Sequence, residues 1–140
     1  MAEGSKLPPE KGIKEISVSD EKIISAHKAY LARDKAFFQW WKEGVALAGV
    51  NYFGDGTKEN LEKAVDKNEL RPIADKVEKA LSTMGNGEAA FLTAMYCFFN
   101  DIRGAELCEK AGVKGFGDLI SLDLERREVL AGLTVNYVGW

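Results

Sequence analysis

The chain has 140 residues, of which 46% are hydrophobic, and its 19 Lys and Arg against 22 Asp and Glu give a net charge of -3. This length suits one domain, and the composition supplies enough apolar side chains for a buried core. The slight negative charge gives no electrostatic reason to expect nucleic acid or an anionic membrane as the main partner.

Residues 1–16 contain two prolines, two glycines and several charges, a composition typical of a flexible, solvated tail rather than a secretory signal. The longest runs without a charged residue, Ala89–Asn100 and Val129–Trp140, are each 12 residues long. A membrane-spanning helix needs roughly 20 apolar residues. We therefore expect a cytoplasmic protein with no membrane association, made of a tail at 1–16 and a helical domain at 17–140.

An apolar stripe from Ile23 to Phe53 is the strongest pattern in the chain. Its members recur at steps of three and four residues, the period of a helix that buries one face. Gly44 and Gly49 interrupt the pattern, so it predicts either one long helix with a kink or two helices, and we favour the long one. The members are Ile23, His27, Tyr30, Leu31, Phe37, Phe38, Trp41, Val45, Ala48 and Tyr52.

Further helices follow, separated by turns that are rich in glycine. The run Glu88–Asn100 is apolar on nearly every side, which is typical of a central helix in a bundle. Ser17 or Ser19 can cap the start of the first helix. The sequence thus predicts an all-α, single-domain helical bundle of about five or six helices with a long first helix. The other predicted helices are Lys58–Lys67, a helix that starts at Leu70, Ala105–Ala111, Asp118–Leu122 and a last helix capped by Asp123.

The residues that usually carry chemistry are scarce. His27 is the only histidine, and its place on the stripe favours a packed core or boundary residue over a general base. Cys97 and Cys108 lie in amphipathic patterns, where thiols act as small core hydrophobes. A disulfide between them is geometrically possible if two helices meet there, although a cytosolic setting argues against it.

No catalytic residue, cofactor or metal can be assigned from these residue types and spacings. An enzyme whose carboxylates and histidine meet only in three dimensions stays open as a second alternative.

The segment Val113–Ser121, VKGFGDLIS, resembles the hairpin of a helix-hairpin-helix module. In that family a Gly-apolar-Gly turn lets the backbone approach a nucleic-acid phosphate, which implies that Lys114, Gly115 and Gly117 would bind nucleic acid. Lys114 replaces the usual proline, and Asp118 adds a negative charge where the phosphate would sit. A nucleic-acid-associated protein is therefore the first alternative, and we do not expect nucleic acid as the main partner.

Exposed aromatic side chains are the remaining candidates for function, because aromatic residues cluster at interfaces. Neighbouring residues on a helix point about 100 degrees apart, so Trp40 is expected at the edge of the stripe that contains Trp41. We predict a non-enzymatic domain that binds a protein partner or forms a homo-oligomer. The candidate interface residues are Trp40, Phe37, Tyr137 and Trp140.

Overall fold

The computed structural model describes residues 17–140, and they form an all-α fold, as the sequence predicts. The predicted tail at 1–16 lies outside the described residues. The described part contains seven α-helices, two of them very short, together with short 3-10 helices at Val50–Tyr52 and Lys67–Leu70. The α-helices are α1 (Val18–Ala48), α2 (Lys58–Lys63), α3 (Ala74–Leu81), α4 (Asn86–Phe99), α5 (Asp101–Ala111), α6 (Phe116–Ile120) and α7 (Leu124–Asn136).

From Ile23 to Ala48 the stripe forms one long helix, α1, as favoured, and its last member, Tyr52, lies in the 3-10 helix that follows Gly49. Its start is capped by Ser17, whose Oγ accepts a hydrogen bond from the backbone N–H of Asp20 at 3.1 Å. Asp20 returns the contact through its carboxylate, which accepts from the Ser17 N–H at 3.4 Å. The described residues divide into two units, with the boundary between Ala32 and Arg33, within α1.

The hydrophobic core of the second unit is built around Trp41 and α4. The Trp41 side chain is fully buried, and its indole N–H donates to the backbone oxygen of Leu70 at 2.9 Å. Helix α4 buries seven of its residues, as predicted for a central helix. Among residues 17–140, no helix is both long enough and apolar enough to cross a bilayer.

The stripe predicts a buried face along its whole length, and this prediction is wrong for residues 23–33. Phe37, Trp41 and Val45 are buried, whereas every residue from Ser17 to Arg33 is exposed. His27 is among the exposed residues, so its prediction as a packed core residue is also wrong. A helical period shows which face can be buried, and it carries no information on whether any other segment covers that face.

Candidate functional site

The exposed part of α1 carries five large apolar side chains, of which four, Ile23, Ile24, Tyr30 and Leu31, form a surface that we call the N-terminal face. Their exposed fractions are 66%, 45%, 46% and 51%. The two pairs are separated by two helical turns, so they lie along one side of the helix. The His27 ring lies between them, nearly parallel to the Tyr30 ring at 6.5 Å. Contiguous exposed apolar side chains of this kind mark interaction surfaces.

Charged residues of opposite sign lie beside the N-terminal face, the acidic ones before Ile23 and the basic Lys28 between Ile24 and Tyr30. Asp20 and Glu21 lie in the first turn of α1, where the helix dipole favours negative charge. Lys28 follows Glu21 by seven residues, which places the two on the same side of the helix, two turns apart. Glu21 and Lys28 therefore lie along the same flank of the N-terminal face.

Two of the predicted interface residues lie within the fold. Phe37 is only 1% exposed and belongs to the core, which corrects its placement at a surface. Trp40 is half-buried against α7, where Gly132 leaves room for it, because a methyl group at Gly132 would overlap the indole. Both side chains are thus occupied by packing contacts within the second unit.

The C-terminal segment Tyr137–Trp140 docks against its own fold. The Trp140 ring lies 4.8 Å from the Trp41 ring, and its N–H donates to the Asn68 side-chain oxygen at 2.9 Å. Of the four predicted residues, Tyr137 keeps the largest surface, with 44% of its area exposed.

Lys67 holds the C-terminal segment against the rest of the fold. No pattern in the sequence indicated this role. Its ammonium group is almost buried and donates to the Gly139 carbonyl at 2.8 Å and to the Asp34 carboxylate at 2.9 Å. It also lies over the rings of Phe37 and Trp140, at 5.5 and 5.3 Å from their centroids. The hydrogen-bonded Gly139 carbonyl and the edge-to-face contacts of the Trp140 ring explain why this segment is packed.

The turn that resembles a helix-hairpin-helix hairpin is closed by its own carboxylate. The backbone N–H groups of Lys114 and Gly115 donate to Asp118 Oδ2 at 2.7 and 3.1 Å, and these bonds hold the pKa of Asp118 below its usual range. Gly115 and Gly117 are exposed, and a Cβ on either would meet nothing within 4 Å. A phosphate at this turn would have to displace the Asp118 carboxylate.

An apolar groove lies between α4, α6 and α7. It consists of two adjoining cavities of about 360 and 510 Å³, which share Leu119, Leu130 and Thr134 in their walls. The exposed side chain of Ile120 lines the first cavity, and Cys97 lines the second. No periodicity in the sequence indicates this groove, because its walls come from three different helices.

Groups of three or more His, Cys, Asp and Glu that could hold a metal ion are not found among residues 17–140. Comparison of the chain with protein family models, curated proteins and solved structures finds no match in any of the three.

Proposed function

We propose that this chain self-associates, with the N-terminal face of α1 in one copy packed against the same face of a second copy. The observation that carries the proposal is the exposure of Ile23, Ile24, Tyr30 and Leu31 along one side of a helix. A pair of identical copies related by a two-fold axis uses the same patch on both sides, so one exposed patch suffices. Burial of large apolar side chains supplies the driving force.

The charges favour an antiparallel arrangement of the two helices. In a parallel pair, Glu21 of one copy would lie beside Glu21 of the other, and Lys28 beside Lys28, which is destabilising. In an antiparallel pair centred beside Ile24, each Glu21 faces the Lys28 of the second copy. The same register brings the exposed Val18 of one copy opposite Leu31 of the other. This self-complementarity is the reason to name a second copy as the occupant of the face.

The first test is sedimentation velocity over a concentration series with the full chain and with Ile24→Glu. We expect the wild type to associate and the variant to have a dissociation constant at least about tenfold higher, because a buried, unpaired carboxylate costs more than 1.4 kcal/mol. Ile102→Glu is the matched control, since Ile102 is 75% exposed on α5 and outside both apolar surfaces. A monomeric wild type at all concentrations would disprove the proposal.

Ile120→Glu tests the groove between α4, α6 and α7 as the competing surface. If Ile120→Glu abolishes association while Ile24→Glu leaves it unchanged, the groove and not the N-terminal face is the interface.

The orientation is tested by exchanging the two charges. Glu21→Lys and Lys28→Glu should each weaken association, since each places like charges opposite one another in the antiparallel pair. The double variant restores opposite charges and should recover most of the loss. Single variants that have no effect, or a double variant no better than either single one, would contradict the antiparallel register.

A further inference from the structure

Cys97 and Cys108 lie side by side on neighbouring helices, and neither belongs to the proposed interface. Their sulfur atoms are 3.9 Å apart, and both residues are half-buried and free. The close approach depends on Gly104 of α5, where a Cβ would come within 2.7 Å of the Cys97 sulfur and 2.8 Å of the Cys97 Cα. The glycine lets the two helices meet, and the sulfur atoms face each other as a result.

The structure assigns to Cys97 and Cys108 a thiol modification site that reacts with low-molecular-weight disulfides and closes into an intramolecular disulfide. A disulfide bond is about 2.05 Å long, so the sulfur atoms must approach by about 2 Å from their separation of 3.9 Å. Side-chain rotation at two neighbouring half-buried residues can supply a movement of this size.

Each sulfur is accessible from a different side. Cys97 lines the second cavity of the groove between α4, α6 and α7. Cys108 lines a separate, open depression together with Glu109 and Lys114. A small disulfide in this depression reaches Cys108 without displacing α4. The charged residues that line these two openings are Asp101 beside Cys97, and Glu109 and Lys114 beside Cys108.

The surroundings shift the pKa values of the two thiols in opposite directions. The hydrogen bond between the two sulfur atoms lowers the pKa of Cys108 to about 6 when Cys97 is its donor. The pKa of Cys97 is raised, because its proton is held in the bond to Cys108 and because it is partly buried beside Asp101. At neutral pH the pair therefore holds one thiolate, at Cys108, and one thiol, at Cys97.

The chemistry proceeds in two exchanges. The Cys108 thiolate attacks one sulfur of the small disulfide, its S–S bond breaks, and one small thiolate leaves and takes up a proton from solvent. Cys108 is now uncharged, which removes the main cause of the raised pKa of Cys97. Cys97 then loses its proton to solvent and attacks the Cys108 sulfur, and the second small thiolate leaves and takes up a proton. The protein loses two electrons, and the small disulfide gains them as it becomes two thiols.

Oxidised glutathione is the probe for this site, used with the reduced full chain at neutral pH. We expect wild type to lose two hydrogen atoms by intact mass, to keep no adduct, and to yield a Cys97–Cys108 linked peptide after digestion. Dithiothreitol should restore both thiols. A wild type that keeps both thiols, or that ends as a stable glutathione adduct, would overturn the proposal, and this arm needs no variant to fold.

Matched serine variants separate the two roles. Cys97→Ser should stop at a stable mixed disulfide on Cys108. Cys108→Ser should form its adduct at least about tenfold more slowly, because partial burial and Asp101 still keep the pKa of Cys97 raised. Far-ultraviolet circular dichroism checks that both variants fold. Equal rates for the two variants would remove the assignment of Cys108 as the attacking sulfur.

The pH dependence gives an independent readout on wild type. Alkylation by iodoacetamide should slow as the pH falls through about 6, where the Cys108 thiolate takes up its proton. The unfolded chain in denaturant is the control, with a midpoint near the ordinary cysteine value of about 8.5. A midpoint in the folded protein equal to that of the unfolded chain would contradict the pairing of the two sulfurs.

Discussion

The C-terminal segment Tyr137–Trp140 and the α1 segment Val18–Ala32 are both rich in large apolar side chains, yet they have opposite environments. The Trp140 ring makes edge-to-face contacts with the rings of Trp41 and Phe99, at centroid distances of 4.8 and 5.2 Å. In the α1 segment, by contrast, every residue is exposed. Hydrophobicity alone therefore does not decide whether a segment packs on its own fold.

Polar anchors account for the difference on the C-terminal side. The Gly139 carbonyl accepts from Lys67, and the Trp140 N–H donates to Asn68, so these polar atoms keep partners when the Trp140 ring packs against the core. The N-terminal face of α1 offers apolar side chains bordered by charges that suit a second copy. The C-terminal segment thus has partners for its polar atoms within the chain, and the proposed second copy would supply contacts for the exposed α1 segment.

The largest effect is expected where the C-terminal segment meets the core. Trp41→Ala should lower the free energy of unfolding by about 3 to 5 kcal/mol, because it removes a fully buried indole that also contacts Trp140. Tyr30→Ala on α1 is the contrasting variant, and as an exposed substitution it should change stability by less than about 0.5 kcal/mol. Urea denaturation at low protein concentration measures both. Equal losses of unfolding free energy in the two variants would show that the two segments are packed alike.

A smaller effect is expected from the buried ammonium group. Lys67→Met keeps most of the side-chain volume and removes the donor to Gly139 and Asp34, so we expect a loss of about 1 to 3 kcal/mol. Lys63→Met is the matched control, because Lys63 forms an exposed ion pair with Glu59. Exposed pairs contribute about 0 to 1 kcal/mol. Equal free energies of unfolding for the two variants would show that Lys67 does not hold the C-terminal segment in place.

The sequence contained enough local information for the fold class and for several helix ends. Apolar residues on all sides of Glu88–Asn100 predicted the central helix α4, and Ser17 was one of the two predicted caps of α1. These features depend on residues a few positions apart, which is the range over which helical period and capping act.

The candidate surfaces could not be predicted in this way, because they depend on distant contacts. Lys67 is separated by 33 residues from Asp34 and by 72 from Gly139, so its burial leaves no periodic signal. The exposure of Ile23 and Leu31 also depends on whether any segment covers them. The sequence alone did not decide whether Cys97 and Cys108 lie close together. Their sulfur atoms meet because Gly104 leaves room for the two helices to pack closely.

The smallest effect concerns the single hydrogen bond between Trp140 and Asn68. Trp140→Phe removes the donor and keeps an aromatic ring, and Asn68→Ala removes the acceptor, which also serves Arg71. A double-mutant cycle in urea isolates the bond from both side effects. We expect a coupling energy of about 0.5 to 1.5 kcal/mol, the usual net contribution of a hydrogen bond. A coupling energy of zero would leave ring packing and Lys67 as the forces that hold the C-terminal segment, and would remove the indole N–H from the explanation of why this end is packed.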